Sequence, residues 1–360
     1  MQKNGGSKPV RLFMRPVLIW TYHRVLPGKI HGALTAAVFD EQLSFLRHAG
    51  YSFIDTAGLA EWFSGKLDRN AKYTMLTFDD GWADNLIWAS PILKKHGAKA
   101  VIAINLSLIN PLKREFMLEE FPEKYPLVNS KDALENAVYK RNYDSFLTWE
   151  ELGRLQKYGI WDIQSHGASH FGVYKDLKKI EGFFPEKKHW TMEYALDGPP
   201  FSGAPKGRFA SILSHPRTLL APDLVDALKK CDTQVERMKI CKKHQEPVRT
   251  VENDAEFIKR ISEEFSFCRQ ILKDRLNVHS DCLFWPWGHY SAAGVKAALQ
   301  CGYKMLFTMD KDAVTTETDE TSIPRIAAPE TLSRFRKQKK IFSSRALRSL
   351  RKIYVSIAKK

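Results

Sequence analysis

The stretch Thr77-Phe78-Asp79-Asp80-Gly81 closes the apolar run Tyr73-Thr74-Met75-Leu76 and sets two carboxylates at what reads as a strand end. Side chains alternate along a strand, so Asp79 and Asp80 cannot both enter the core. A tight turn at the glycine lets both reach one cleft from different angles. One carboxylate can then hold a metal while its neighbour handles a proton. The plain alternative is a turn, because Asp-Asp-Gly after a strand is ordinary turn chemistry. A second cluster, Ser165-His166-Gly167-Ala168-Ser169-His170, carries two histidines four apart. That spacing lets both imidazoles converge on one ion from a helical turn or a tight loop. Two neutral imidazoles with a carboxylate make a three-ligand set of the catalytic zinc kind. A metalloprotease needs Glu directly after the first histidine, and Gly167 stands there instead. A glycosidase needs two carboxylates facing each other across a bond, typically ~5–9.5 Å apart, which adjacent residues at one turn serve poorly.

The elements that must position these residues alternate between two kinds. Strand patterns occur at 17–22, 73–78, 100–104, 160–163, 282–285 and 304–308, rich in apolar and β-branched residues. Helical patterns occur at 40–48, with Asp40 as the expected N-cap, and at 84–96, 148–157 and 291–300. Thr148 with Glu151 has the spacing of a capping box. Strands alternating with helices of this length predict a parallel α/β architecture, barrel or open sheet, with functional residues at the carboxyl ends of the strands. The Asp pair and the His pair both fall at such ends. Two stretches break the rhythm, 106–146 and 171–277. The second shows helical patterns at 222–230 and 251–276 and few strand signals. Both read as insertions over the strand-end face.

With 360 residues, 44% hydrophobic, the chain can build one large core or two ordinary ones. The net charge of +15 suggests nucleic acid until it is located. Residues 332–360 hold eleven Lys/Arg and no acidic residue, which leaves the rest of the chain near +4. The five cysteines, Cys231, Cys241, Cys268, Cys282 and Cys301, are odd in number and lack CxxC spacing, as expected of reduced thiols. Residues 1–9 are polar and the apolar run 16–22 is short, so neither a signal peptide nor a membrane span is expected. The expectation is a cytoplasmic protein, peripheral on the inner membrane if its tail binds lipid.

Taken together, these motifs resemble those of the polysaccharide deacetylases, carbohydrate esterase family 4. The first family motif resembles Thr77-Phe78-Asp79-Asp80-Gly81, the second His166 to His170, and the third, an aromatic-Pro-aromatic-Gly turn, Phe284-Trp285-Pro286-Trp287-Gly288. Tyr22-His23-Arg24-Val25 and the stretch 39–51, ending in His48-Ala49-Gly50-Tyr51, resemble the subgroup that deacetylates poly-N-acetylglucosamine. The resemblance covers roughly residues 17–105, 146–171 and 280–328. It implies a distorted (β/α) barrel over residues 10–330 with large helical insertions, followed by a basic tail at 331–360. It implies that Asp80, His166 and His170 bind a divalent metal, zinc first, with nickel, cobalt or iron as alternatives. Asp79 would be the base toward water, the backbone N–H of Trp287 would face the oxyanion, and His23 would protonate the departing amine. A core histidine at a strand end is the alternative for His23. Trp82, Pro286 and Arg325 are the expected substrate contacts, Trp82 and Trp287 through stacking on sugar faces. The chain departs from the family at Gly167, where Ser or Thr is usual. It also departs in the third motif, which lacks the Arg that holds the base; Arg24 or Arg325 could stand in.

Within the tail, Ala346, Leu347, Leu350, Ile353, Tyr354 and Ile357 recur at helical spacing among Arg345, Arg348, Arg351 and Lys352. A basic amphipathic helix of this kind is expected to lie on an anionic membrane. Binding to a nucleic-acid backbone, or docking of the apolar stripe on the chain's own domain, are the alternatives. A membrane tail on a carbohydrate deacetylase would fit a lipid-linked glycan substrate. An inactive glycan-binding module on the same fold is the rival to catalysis.

Overall fold

Apolar residues on both faces of most strands require a sheet covered on both sides. The computed structural model describes residues 14–184, 195–196 and 201–358. Its main sheet holds β1 (Leu18–Tyr22), β2 (Ser52–Phe53), β3 (Tyr73–Asp80), β4 (Ala100–Ile104), β5 (Trp161–Ser165), β6 (Cys282–Phe284), β7 (Met305–Phe307) and β8 (Ile326–Ala327). The strands are parallel in the order β7-β6-β5-β4-β3-β1-β8, and β2 pairs with the start of β3. One short segment brings the two edges together. Ile323 bridges Phe307 on one side, while Ile326 and Ala327 pair with Trp20 and Thr21 on the other. This seam curls the sheet into the distorted (β/α) barrel.

The two faces of the strands divide by parity. Ile19, Met75, Val101, Ala103, Phe284, Phe307 and Ile323 pack together in the interior, with Leu59 and Trp62 of the helix Thr56–Phe63. Trp20, Tyr22, Leu76, Phe78, Ile102 and Ile163 point the other way, against the surrounding helices. The helix Trp149–Lys157, which feeds β5, opens with the expected capping box: Glu151 N donates to Thr148 Oγ1 at 3.1 Å and Thr148 N donates to Glu151 Oε2 at 2.8 Å. The helix expected from Asp40 begins earlier, at Ala36, because Thr35 accepts from Val38 N and caps it. Asp40 instead pairs with Lys95 and His96. The segment expected as one helix at 84–96 is a π-turn, Asn85–Ala89, running into the α-helix Ser90–Lys95. Pro91 has no N–H to continue a regular ladder there.

The stretch 171–277 carries more strand than expected. Gly172–Asp176 pairs antiparallel with Arg208–Ser211, and Thr218–Leu220 with Val248–Thr250. Strands of three to five residues are too short to leave a clear alternation in sequence. The long helix Asp254–Leu276 follows, and its Phe257, Ile261 and Phe265 pack against Leu283, Trp285 and Leu306. All five cysteines are free.

The first half of the basic tail is part of this body. The helix Leu332–Ser343 buries Phe335, whose ring lies 4.1 Å from that of Trp20 and 6.3 Å from that of Phe45. It thus packs over β1 beside the seam. Replacing Phe335 with Ala should cost about 3–5 kcal/mol of stability, read from urea unfolding, whereas a chain ending after Ser344 should retain most of the wild-type stability.

Candidate active site

Along β3, Met75, Thr77 and Asp79 share the interior face, and Leu76 and Phe78 the outer one. A regular strand would therefore turn Asp80 outward. Its backbone is left-handed instead, with φ 77°, and Gly81 follows at φ 81°. Asp, with a short polar side chain, enters this region more readily than most residues. Two successive left-handed residues turn the chain and let both carboxylates stay at the strand end. The indole N–H of Trp82 donates to Asp80 Oδ2 at 3.1 Å and fixes the second carboxylate.

The two histidines arrive from the next strand but one. His166 N donates to Ile104 O at 2.8 Å, which extends the β4–β5 pairing to the first imidazole. His166 Nδ1 donates to Phe284 O at 2.8 Å, leaving its Nε2 as an acceptor. That Nε2 and the Nε2 of His170 each lie 3.5 Å from Asp80 Oδ1. Burial pushes the His166 imidazole below its ordinary pKa and the His170 imidazole down to about 4, outweighing the nearby carboxylates. Both rings are therefore neutral near pH 7. Asp80 Oδ1 is buried and has no hydrogen-bond partner. A buried carboxylate oxygen without a donor is costly, and here it faces two neutral imidazoles. These three donor atoms lie within 4.8 Å of one another and fit a divalent cation of the zinc class.

The loop between the histidines is held from outside itself. Gly167 has φ 75°, and a Cβ there would come within 2.7 Å of Leu213 Cδ1, so a larger residue would strain the backbone and displace the Leu213 side chain. Glu264, on the helix Asp254–Leu276, accepts from Ala168 N at 2.9 Å, Ser169 N at 2.8 Å and Ser169 Oγ at 3.0 Å. Nothing near the motif in sequence signals Glu264, which lies 94 residues beyond His170. The Phe284 carbonyl was likewise invisible to sequence reading, since any residue type supplies one.

Asp79 is locked by Arg325. Nη1 of Arg325 donates to Asp79 Oδ1 at 2.7 Å and Nη2 donates to Oδ2 at 2.9 Å, a bidentate pair with the guanidinium 0% exposed. Burial pushes the Asp79 carboxyl up, but Arg325, His166 and His23 outweigh it and hold it well below the usual carboxylate range. Of the two arginines that could replace the family cation, Arg325 is the one paired with Asp79. Arg24 is buried against Asp84 at 2.9 Å and Tyr125 at 3.1 Å, with its guanidinium over the Trp82 ring.

Three expected substrate contacts are corrected by burial. Arg325 is closed off behind Asp79. Trp82 is 1% exposed, stacked on Phe146 at 4.4 Å, with its indole N–H spent on Asp80. Pro286 is buried too. Trp287 is half-buried and left-handed at φ 60°, its ring lying on Gly172, where a Cβ would come within 2.5 Å of the indole. Its indole N–H lies 3.0 Å from His170 Nδ1. His23 is exposed at the end of β1, not buried in the core, and its charge acts on both Asp79 and His170.

The model of the polysaccharide deacetylase family matches residues 66–192, a span that includes both the Asp pair and the His pair. No curated protein matches the chain in sequence. Among solved structures, the chain is similar to a de-N-acetylase from Aggregatibacter actinomycetemcomitans, with 17% identity and a TM-score of 0.58, over 89% of this chain and 99% of that one. The BpsB deacetylase domain from Bordetella bronchiseptica matches at 17% identity and TM-score 0.56, over 87% and 96% of the two chains. IcaB from Ammonifex degensii matches at 16% identity and TM-score 0.55, over 92% and 98%. At such identities these three likenesses speak for the shared fold.

The Asp79–Arg325 pair has a defined pH signature. Asp79's folded pKa is depressed, so its stabilising contribution is present above the unfolded value of about 3.9 and is lost as pH falls through the folded one. Replacing Arg325 with Met leaves a buried carboxylate uncompensated and should cost about 3–5 kcal/mol at pH 7. Without the cation, burial raises the Asp79 pKa, so acid relieves the variant's penalty. The gap between wild type and variant, measured by urea unfolding, should narrow from pH 7 toward pH 4.

Proposed function

We propose that the chain is a member of the polysaccharide deacetylase family, whose model matches residues 66–192, and that it hydrolyses the N-acetyl group of an N-acetylhexosamine within a glycan. The observation that carries this reading is the unpartnered Asp80 Oδ1 facing the Nε2 atoms of His166 and His170, with the ionised Asp79 beside them. Asp80, His166 and His170 would hold the metal, with zinc favoured by two imidazoles and one carboxylate, and nickel, cobalt or iron also compatible. Bound there, a divalent ion supplies Lewis-acid chemistry, lowering the pKa of water and polarising a carbonyl.

The chain's own residues divide the remaining work. Asp79 takes the proton of the attacking water, and Arg325 keeps its carboxylate ionised and fixed in the plane of the guanidinium. The backbone N–H of Trp287 faces the acetyl oxygen as charge develops on it. His23, exposed at the rim, gives a proton to the departing amine. The half-buried Trp287 indole supplies the apolar surface against which a sugar face can rest. The pairing of Arg325 with Asp79 supports this reading: a cation that could orient the base is present, delivered from the segment just before β8. The same placement weighs against an inactive glycan-binding module. The match to a polysaccharide deacetylase model supports a polymeric N-acetylated substrate. A lipid-linked form of it is the reading that the basic tail supports.

Acetate release from N-acetylglucosamine oligomers tests this directly. Asp79→Asn should lower kcat by about 10²–10⁴-fold while zinc still binds. Asp80→Asn should lose zinc, measured by metal analysis after dialysis, and lose activity with it. Chelation should abolish acetate release in the wild type and added zinc should restore it. Acetate release that survives both chelation and Asp79→Asn would sink the reading. For the loop, Glu264→Gln should weaken zinc affinity by about 10–100-fold, read by competition with a chromogenic chelator.

A further inference from the structure

The helix Arg345–Ala358 presents an apolar stripe that its own domain does not cover. Leu350, Ile353 and Tyr354 are 62%, 58% and 74% exposed and sit at i, i+3 and i+4, side by side on one face. The other face holds the helix to the body. Arg351 Nη1 donates to Lys311 O at 2.7 Å, Lys352 Nζ lies 2.7 Å from Asp312 Oδ2, and the Arg351 guanidinium lies over the Phe342 ring. A tail that folds onto its own domain would bury the stripe and expose the charges. This helix leaves the stripe in solvent and is held to the domain through Arg351 and Lys352.

What covers the stripe is indicated by the charge around it. No acidic residue occurs in 332–360, and Arg334, Arg336, Lys337, Lys340 and Arg345 are all exposed. Cations alone would serve a nucleic acid, but a phosphate backbone has no use for a Leu-Ile-Tyr stripe. An exposed apolar stripe on a segment rich in exposed cations and free of acidic residues complements a bilayer with anionic headgroups, where a tyrosine can keep its hydroxyl in water. Among the described residues no helix is long and apolar enough to cross a membrane, so the geometry is that of a helix lying on the surface. The loop that moors it begins beside the site: Met309 N lies 2.5 Å from where a Gly288 Cβ would be, and Lys311 and Asp312 follow.

We propose that the helix Arg345–Ala358 docks the protein on an anionic lipid surface. Leu350, Ile353 and Tyr354 enter the headgroup region, and the neighbouring Lys and Arg side chains meet lipid phosphates. The docking is independent of the chemistry assigned to the metal centre.

Co-sedimentation of the full-length protein with vesicles tests it. Vesicles with about one quarter phosphatidylglycerol should bind the protein, vesicles of phosphatidylcholine alone should not, and binding should weaken with salt. The triple variant Leu350→Ser, Ile353→Ser, Tyr354→Ser keeps every charge and alters only exposed positions, so its melting temperature should stay at the wild-type value. It should bind anionic vesicles at least about tenfold more weakly. Lys337→Gln with Arg345→Gln should weaken binding as well. Equal binding to both vesicle types, or wild-type binding by the triple variant, would overturn the proposal. So would salt-sensitive capture of an oligonucleotide duplex with no vesicle binding.

Discussion

One buried guanidinium connects the closure of this barrel to the ionisation of Asp79. Arg325 donates through Nε to Thr308 O, through Nη1 to Thr77 Oγ1 and Asp79 Oδ1, and through Nη2 to Asp79 Oδ2, while its plane lies over the Phe284 ring. These partners belong to β3, to β6 and to the end of β7. Arg325 itself sits in the seam between Ile323, which bridges β7, and Ile326, which pairs with β1. A cation taken out of water needs all of these contacts to offset its desolvation. They exist together only when the first and last edges of the sheet have met. The interaction that makes Asp79 a carboxylate is therefore the one that certifies the barrel as closed.

With the base fixed in this way, the neighbouring positions follow. Asp79 occupies the last interior place on β3, so any further ligand from that strand must come from a residue that leaves the strand. Asp80 does so by turning left-handed. Four non-glycine residues among the described ones have positive φ. Arg141 and Asn277 are ordinary helix C-caps. The other two, Asp80 and Trp287, are at the site, each in a position where the backbone must bend to aim a group inward. Strain held at such places marks function more reliably than strain at a helix end.

Much of this was legible in the sequence, and the pattern of what was not is physical. The strands β1, β3 and β4 announce themselves because both faces are apolar, so their runs are nearly continuous. The Asp and His pairs could be read because each is compact, a few residues long, and set after such a run. The Asp79–Arg325 contact spans 246 positions, so the sequence could name Arg325 only as one of two cations. Its place as a substrate contact failed because burial is decided by the seam, which no local pattern reveals. Trp82 was misplaced for a related reason: an indole beside a sugar site and an indole donating to a carboxylate have the same local signature. The tail was read as one basic segment, yet Phe335 is in the core and Tyr354 is in solvent. Composition averages over two helices whose apolar residues do opposite things.

The departure at Gly167 shows how the insertion came to be part of the site. A Ser or Thr at that position can tie the histidine loop to itself through a hydroxyl. Here the backbone is left-handed and Leu213 occupies the space a side chain would need. The loop consequently has no internal tie for Ala168 and Ser169. Glu264 supplies one from a helix whose Phe257, Ile261 and Phe265 are anchored in the barrel wall beside Leu283 and Trp285. A carboxylate accepting two backbone N–H groups and a hydroxyl is a stronger constraint than a single hydroxyl bond. It also transfers the rigidity of the packed helix to the loop that carries His166 and His170. The stretch 171–277 is thus more than a cover over the strand ends: without it the histidine loop would lose its Glu264 tie and keep only its contacts to the strand ends, such as those of His166 with Ile104 O and Phe284 O.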